Sequence, residues 1–330
     1  MANPKIRIAA RDDRVGRCMG ILNTLKTRYN RTIGKRRFEA TAKGVAATPA
    51  LMMRDCALLY VSMLCHRDVH PYLLAIKSLY VRIGMGRVLI VDDGSLLPQD
   101  MDLLRHHIPL IEFVHIQTID TGRCPRGGTW ERLVKILELT ASNFVIQVDA
   151  DTLTSGPVPE VTQYFQENRS FLLGTRASQQ ISTAPEVAKM VRGWIDANHW
   201  TSYSVGVAAE GAIDTLAHAH RFHYAHASSG FAGFARGAFD FAMLEDFSIH
   251  MRERLGARWD EWGTEQIASN FMIANAPNAT VLPFDRYACF EPHIPVAGRP
   301  FLHFIGAYRY NDGLYRKRAQ AFLNAVSSAR

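Results

Sequence analysis

The chain has 330 residues, 48% of them hydrophobic and 10% aromatic, which excludes disorder as its general description and predicts a sizeable core. Its 38 Lys and Arg against 31 Asp and Glu give a formal net charge of +7. Residues 1–55 hold 13 basic and 4 acidic side chains, a balance of 13 − 4 = +9, so the rest of the chain balances at 7 − 9 = −2. The body is therefore near neutral, which argues against a nucleic-acid-binding protein.

The sequence also predicts neither a membrane-spanning protein nor a disulfide-rich one. No apolar run approaches the roughly 20 residues of a membrane-spanning helix, and the first 30 residues lack the apolar region of a secretory signal. The five cysteines are odd in number and form no CxxC pair. We expect a cytoplasmic protein with reduced thiols.

The N-terminal segment, residues 1–55, is predicted to be a basic extension, partly helical, outside the main body. Apolar residues recur there at helical spacing, at Val15, Cys18, Met19, Leu22 and Leu25. A basic amphipathic helix of this kind in residues 1–50 would contact an anionic membrane surface, at the inner face of the membrane. A solvated tail is the alternative. The charged run at 31–37 shows no periodicity.

Strands and helices alternate from residue 57 onward. Strands are predicted over 57–65, 87–91, 110–116 and 143–148, with helices over 70–82, 98–107 and 129–140. Further helices are predicted over 185–197, 239–255 and 263–274. This alternation predicts an α/β fold with a Rossmann-type, mostly parallel sheet flanked by helices. Residues 56–155 form its first half, and the mixed half 156–330 covers the functional edge of the sheet.

Two acidic clusters follow predicted strands. Asp92 and Asp93 come after the second strand, and Asp149 and Asp151 after the fourth. Ligands of open α/β sheets bind at the carboxyl ends of the strands, and carboxylates at i and i+2 of an extended chain face the same side. Asp149 and Asp151 could therefore face one Mg²⁺ or Mn²⁺ ion, whereas an Asp after a strand otherwise caps a turn.

Five motifs in order carry a family resemblance. They are Val91-Asp-Asp-Gly-Ser95, Phe144-Val-Ile-Gln-Val-Asp-Ala-Asp151, Ser229-Gly-Phe-Ala-Gly-Phe234, Trp262-Gly-Thr-Glu-Gln266 and His303-Phe-Ile-Gly306. Together they resemble the GT-A fold glycosyltransferases, which use nucleotide sugars. Glu265-Gln266 and the His-Phe-x-Gly ending also resemble the retaining enzymes similar to glycogenin and to the lipopolysaccharide galactosyltransferases. The GT-A resemblance implies a GT-A-like sheet with a mixed acceptor half.

The resemblance also implies residue roles. Donor contacts would come from Val61, Asp92, Asp93, Arg132 and Asp149. A divalent cation, Mn²⁺ or Mg²⁺, would be held by Asp149, Asp151 and His303. Gly230 and Gly233 would belong to a glycine-rich acceptor loop. The catalytic residues would be Glu265 and Gln266. Because sugar–phosphate cleavage leaves negative charge on the diphosphate, a cation at this point of the sheet is chemically reasonable.

The stereochemical outcome stays open. In inverting relatives the last carboxylate of the acidic motif is the general base, but Gln266 stands at that place and cannot accept a proton usefully. The Glu265-Gln266 pair favours retention slightly, whereas the Asp-Asp-Gly-Ser cluster is more typical of inverting enzymes.

The sequence thus predicts a metal-dependent glycosyltransferase that moves a sugar from a nucleotide-diphospho sugar, most simply a UDP-sugar, to a glycan or lipid-linked acceptor. A nucleotidyltransferase is the alternative, but residues 64–70 after the first strand lack the glycines of its phosphate loop. A protein that binds or glycosylates nucleic acid through its basic N-terminus is a further alternative. His218, His220, His223 and His226 lack zinc-site spacing, and metal binding by them is not favoured.

Overall fold

The computed structural model describes residues 29–291 and 294–328. The predicted amphipathic helix in 15–25 lies outside these residues, so its membrane contact stays a prediction. Within the described ranges, no helix is both long enough and apolar enough to span a membrane. The four cysteines in these ranges carry free thiols.

A seven-stranded sheet forms the centre, in the order β10-β6-β9-β4-β1-β2-β3. Strands β1 to β4 are parallel to one another, whereas β9 runs antiparallel to both β4 and β6. A second sheet has the order β11-β12-β5. The strands are β1 (Leu58–Leu64), β2 (Arg87–Asp92), β3 (Ile111–His115), β4 (Phe144–Val148), β5 (Thr152–Thr154), β6 (Phe171–Gly174), β7 (Ser182–Thr183), β8 (His223–Tyr224), β9 (Ala227–Phe234), β10 (Thr280–Val281), β11 (Tyr287–Cys289) and β12 (Phe301–His303).

Helices cover both faces of the central sheet, so the predicted α/β class with a mostly parallel sheet is confirmed. Each predicted strand and helix from residue 57 onward is present, with ends shifted by at most two residues. The helices are α1 (Lys35–Ala42), α2 (Val69–Ile83), α3 (Pro98–His107), α4 (Trp130–Leu139), α5 (Pro159–Gln166), α6 (Ala184–Ala197), α7 (Val205–Ala212), α8 (Phe241–Leu255), α9 (Thr264–Ala274) and α10 (Leu314–Ser328).

Two hydrophobic cores lie on opposite faces of the sheet. Because side chains alternate along a strand, Leu58 and Tyr60 of β1 enter one core, while Leu59 and Val61 enter the other. Burial on both faces explains why β1, β2 and β4 are almost wholly apolar runs. In sheets covered in this way, ligands bind at the carboxyl ends of the strands.

The first described helix, α1, packs onto the body, which corrects the predicted boundary at residue 55. Phe38, Ala42 and Val45 are buried in the same core as β1, and α1 lies against α2 and α10. The ring of Phe38 stacks on Tyr315 at 3.8 Å between centroids, and Tyr315 stacks on Phe304 at 4.2 Å. Residues 35–51 therefore belong to the body, and the charged run at 31–37 is largely helical.

Candidate active site

Three predicted metal ligands come together at the carboxyl end of β4. Asp149 follows β4, and its backbone N–H donates to the carbonyl of Gly230 on β9 at 2.9 Å. Asp151 precedes β5, and β12 pairs antiparallel with β5 so that His303 lies opposite Thr152. The ligand atoms of Asp149, Asp151 and His303 all lie within 4.8 Å of one another. Two sheets thus meet at this group, which we call the acidic triad.

Protein cations neutralise the acidic triad. Arg132 donates to Asp149 at 2.5 Å, and Arg309 donates to the second oxygen of Asp151. His303 Nε2 lies 3.0 Å from Asp151 Oδ1 and 3.9 Å from Asp149 Oδ2. Burial by itself would raise the pKa of Asp151, but His303 and Arg309 hold that pKa below its usual value. Burial by itself would lower the pKa of His303, yet the Asp151 carboxylate raises it well above the ordinary range.

The ring of His303 is held in position from both sides. Ser228 Oγ lies 3.0 Å from Nδ1, which leaves Nε2 turned toward the two carboxylates. A histidine that ligates a metal is commonly oriented by such a hydrogen bond at its other nitrogen. The ring also occupies the space above Gly230, where a Cβ atom would lie 2.0 Å from His303 Cε1. Gly230 is therefore required for close approach.

This placement corrects the predicted glycine-rich loop. Gly230 and Gly233 lie inside β9, an eight-residue strand that is buried throughout. A Cβ atom at Gly233 would lie 2.2 Å from the ring of Phe171. The two glycines provide room for side chains of neighbouring elements, not for the tight turn of a loop. A strand that pairs on both sides with β4 and β6 tolerates them because the pairing fixes its backbone.

Glu265 and Gln266, the predicted catalytic pair, begin α9 at the same edge. Glu265 is 2% exposed and lies 3.5 Å from Arg132, so Arg132 bridges it to Asp149. Glu265 also accepts a hydrogen bond from Thr129 at 2.9 Å. Burial raises the pKa of Glu265, although Arg132 opposes that shift. Gln266 is partly exposed, and its Oε1 accepts the N–H of Ser229 at 3.2 Å. Of the pair, Gln266 is the residue that a substrate can reach without rearrangement.

The other predicted donor-binding residues are placed differently. Asp92 and Asp93 lie at the carboxyl end of β2, where both cap the following turn: Asp92 accepts the N–H of Gly94, and Asp93 accepts that of Ser95. They lie at the expected edge of the sheet. Val61 does not, because its side chain is 0% exposed in the middle of β1 and packs in the core. A donor contact by the side chain of Val61 is therefore not favoured by its position, and its role stays a prediction.

Several residues of the site were not identified from the sequence. Arg309 follows a short turn after the His303 motif, and no pattern marks it as a partner of Asp151. Thr129 has a left-handed backbone, with φ of 78°, which places its hydroxyl on Glu265. Ser229 begins the glycine-containing motif and Ser228 directly precedes it, but only Gly230 and Gly233 were predicted to have a role there. The hydroxyls of the two serines contact His303 and Glu265.

The histidine cluster does not gather as a metal site in the structure. His226 Nδ1 lies 2.8 Å from the buried carboxylate of Glu210, which also accepts the hydroxyl of Tyr224 at 3.0 Å. Burial by itself would lower the pKa of His226, but the bond to Glu210 raises it. His218 and His220 contact each other edge to face. Among the described residues, the acidic triad is the only set of three such ligands close enough to share an ion.

The acidic triad fits a divalent cation by the chemistry of its donors. Two carboxylates and one imidazole nitrogen converge from β4–β5 and β12, and carboxylate oxygens with an imidazole suit Mn²⁺. The fit requires that His303 Nε2 be unprotonated, because a protonated nitrogen has no lone pair for a metal. Arg309 can stay on Oδ2 of Asp151, because Oδ1 is the oxygen that faces His303.

Comparison with known proteins finds similarity in structure. No protein-family model and no curated protein sequence matches the chain. The bifunctional glycosyltransferase WbbM matches with a TM-score of 0.46 and 11% identity, over 83% of this chain and 52% of its own, so this chain spans about half of WbbM. The galactosyltransferase LgtC, in complex with donor and acceptor sugar analogs, matches with a TM-score of 0.48 and 10% identity. The match covers 81% of this chain and 95% of LgtC. Mouse xyloside xylosyltransferase 1 matches with a TM-score of 0.43 and 12% identity, over 76% of this chain and 97% of its own. All three of these solved structures are named as glycosyltransferases. At these identities and TM-scores, the functional proposal depends on the chain's own residues.

Proposed function

We propose that the chain is a glycosyltransferase that uses a nucleotide-diphospho sugar and a divalent cation, with a UDP-sugar as the simplest donor. The observation that supports this most directly is the convergence of Asp149, Asp151 and His303 within 4.8 Å at the carboxyl ends of parallel strands. Ligands of open α/β sheets bind at that edge. A bound Mn²⁺ or Mg²⁺ would offset the negative charge that develops on the leaving diphosphate.

The chain's own residues have separable roles in this proposal. Asp149, Asp151 and His303 would hold the cation, and Ser228 would keep His303 turned toward it. Arg132 lies between Asp149 and Glu265 and fixes both carboxylates. Asp92 and Asp93, at the carboxyl end of β2 and two strands from β4, would face the nucleoside. We leave retention or inversion open, because Glu265 is buried while Gln266 is the accessible residue.

The acceptor side is proposed to lie beside the start of β9. A polar cavity of about 420 Å³ is lined there by residues that include Arg176, Ser178, Gln179 and Gln180. The backbone N–H of His226, just before β9, donates to Ser178 Oγ at 3.2 Å, so this cavity borders the strand that carries Gly230. Hydroxyl and amide side chains suit the hydroxyl groups of a sugar, which supports a glycan or the saccharide of a lipid-linked acceptor.

The proposal is tested by thermal unfolding of the full chain with a panel of nucleotide sugars, each with and without Mn²⁺. We expect one donor class to raise the unfolding temperature in a Mn²⁺-dependent way, because ligands that bind only the folded state stabilise it. Asp151→Asn should lose the Mn²⁺-dependent part and the release of nucleoside diphosphate. Asp102→Asn, at an exposed position on α3, serves as the matched control and should behave as the parent.

Two results would count against this assignment. If no nucleotide sugar stabilises the parent chain, the enzyme class is wrong. If Asp151→Asn keeps the Mn²⁺-dependent shift and turnover, the acidic triad does not hold the cation.

A further inference from the structure

A basic cavity lies at the far end of the strands that carry the acidic triad. It measures about 460 Å³ and is lined by Ser155–Pro157, 296–300, Arg286 and Arg318. Strands β5 and β12 run from the triad to this cavity, since His303 pairs with Thr152 at one end and Ser155 N–H donates to Pro300 O at the other. At about 3.3 Å per strand residue, the two sites are roughly 10 Å apart.

The lining of the basic cavity carries three guanidinium groups and no carboxylate. Arg286 is paired with Glu160, which lies outside the lining, at 2.8 Å. Arg318 donates to Ser155 Oγ and to two backbone carbonyls. Arg299 packs on the ring of Phe284 and donates to one backbone carbonyl. In the described part of the chain, neither Arg299 nor Arg318 has a carboxylate within 4.0 Å.

Arg299 is the clearest sign of a missing partner. Arg299 is only 8% exposed, and its Nη1 atom is buried without a hydrogen-bond partner. A buried donor left unsatisfied costs about 1–3 kcal/mol, so natural structures rarely keep one without a reason. Burial lowers the pKa of both Arg299 and Arg318, although Asp285 partly offsets this for Arg299. Both groups carry charge that their protein surroundings compensate incompletely.

We propose that the basic cavity binds the phosphate group of a phosphorylated ligand. Guanidinium groups present parallel N–H donors that match two phosphate oxygens at once, and two of the three here lack a carboxylate partner. The cavity is larger than a single phosphate group and has room for the rest of the ligand. The phosphate can belong to a soluble compound or to a lipid headgroup, and the chemistry of recognition is the same for both.

The site is distinct from the acidic triad but is mechanically connected to it. Arg318 lies one helical turn after Tyr315 on α10, and the hydroxyl of Tyr315 donates to the carbonyl of Ala150 at 3.2 Å. Ala150 is the residue between Asp149 and Asp151. A phosphate held between Arg318 and the loop at 296–300 would therefore restrain α10 and both strands that reach the triad.

The test is calorimetric titration of the full chain with inorganic phosphate and pyrophosphate, in EDTA and at constant ionic strength set with chloride. The parent chain should bind, and Arg318→Gln and Arg299→Gln should each bind about tenfold more weakly or worse. Arg221→Gln, an exposed arginine elsewhere, controls for the loss of one charge. Arg221→Gln should bind like the parent.

Co-sedimentation distinguishes the two sources of phosphate. A lipid headgroup is supported if the parent pellets with vesicles that contain phosphatidic acid but not with vesicles of phosphatidylcholine alone. Arg318→Gln should then lose this pelleting. Binding of soluble phosphate without such pelleting supports a soluble ligand. The proposal is overturned if the parent shows no binding of phosphate or pyrophosphate beyond the chloride control. It is equally overturned if Arg318→Gln, folded with a parent-like unfolding temperature, binds as the parent does.

Discussion

The close approach of Gly230 to His303 leads to a quantitative prediction for Gly230→Ala. The new Cβ would lie 2.0 Å from Cε1 and 2.4 Å from Nδ1 of the imidazole. An ordinary contact begins near 3.4 Å, so the ring must retreat by about 3.4 − 2.0 = 1.4 Å. His303 is 5% exposed and bonded to both Ser228 and Asp151 at 3.0 Å, so a retreat of that size would break these contacts.

The expected cost follows from the two effects of that displacement. Forcing a methyl group into a packed interior costs about 1–3 kcal/mol, and loss of the charge-assisted bond to Asp151 adds about 1.5–3 kcal/mol. We therefore expect the free energy of unfolding to fall by the sum of the two, about 2.5–6 kcal/mol, measured by urea denaturation. Mn²⁺ affinity, measured by calorimetry, should fall by at least about tenfold, because one ligand has left its position.

Two other glycines serve as controls. Gly233→Ala would drive a Cβ to within 2.2 Å of Phe171, so it should destabilise the fold comparably but leave Mn²⁺ affinity unchanged. Gly193→Ala lies inside α6 with no atom within 4 Å of its Cβ, and should stabilise by about 0.5–1 kcal/mol. The reasoning is refuted if Gly230→Ala is as stable as the parent, or if it loses no more Mn²⁺ affinity than Gly233→Ala.

Two further predictions concern the neighbours of the site. Glu265→Gln should lower the free energy of unfolding by about 1–3 kcal/mol, since Arg132 loses one of two buried carboxylates; urea denaturation checks this, and lost turnover at unchanged stability would instead indicate a chemical role. For His226, whose folded pKa is raised by Glu210, the pair stabilises the fold fully below the unfolded pKa of about 6.5 and less as pH rises through the folded pKa. The stability difference between the parent and His226→Gln, followed from pH 5.5 to 9 by urea denaturation, should therefore shrink by about 1 kcal/mol; a difference that grows with pH contradicts the assignment.

The sheet and its helices could be predicted because their apolar periods are long and unbroken. The helix at 98–107 is found with its predicted ends, since Pro98 and the apolar spacing both mark it. The helix α1 was missed because only Phe38 and Ala42 among its eight residues are buried, amid lysines and arginines. A helix stabilised by its packing against α10 leaves little periodicity of its own.

The sequence predicted the proposed metal-binding residues better than the residues that hold them in position. Asp149, Asp151 and His303 carry chemistry that is visible in their type and order, and the structure brings them together. The second cation of Asp151, Arg309, depends on how the turn after β12 folds back, which no local pattern reveals. Gly230 was identified, but as part of a loop. A glycine that makes room for a neighbouring ring cannot be distinguished in the sequence from a glycine that forms a turn.

The ring stack of Phe38, Tyr315 and Phe304 changes how the basic N-terminal segment should be studied. Phe304 follows His303 directly, so a stack of three aromatic rings, the first of them in α1, connects this helix to the proposed cation ligands. Deleting residues 1–50 to remove the basic segment would also remove the first ring and uncover the second. A loss of activity in such a truncation would then not distinguish a damaged site from a lost membrane anchor. A deletion that stops at residue 28 keeps the ring stack intact. This variant therefore tests membrane contact separately from the activity of the site.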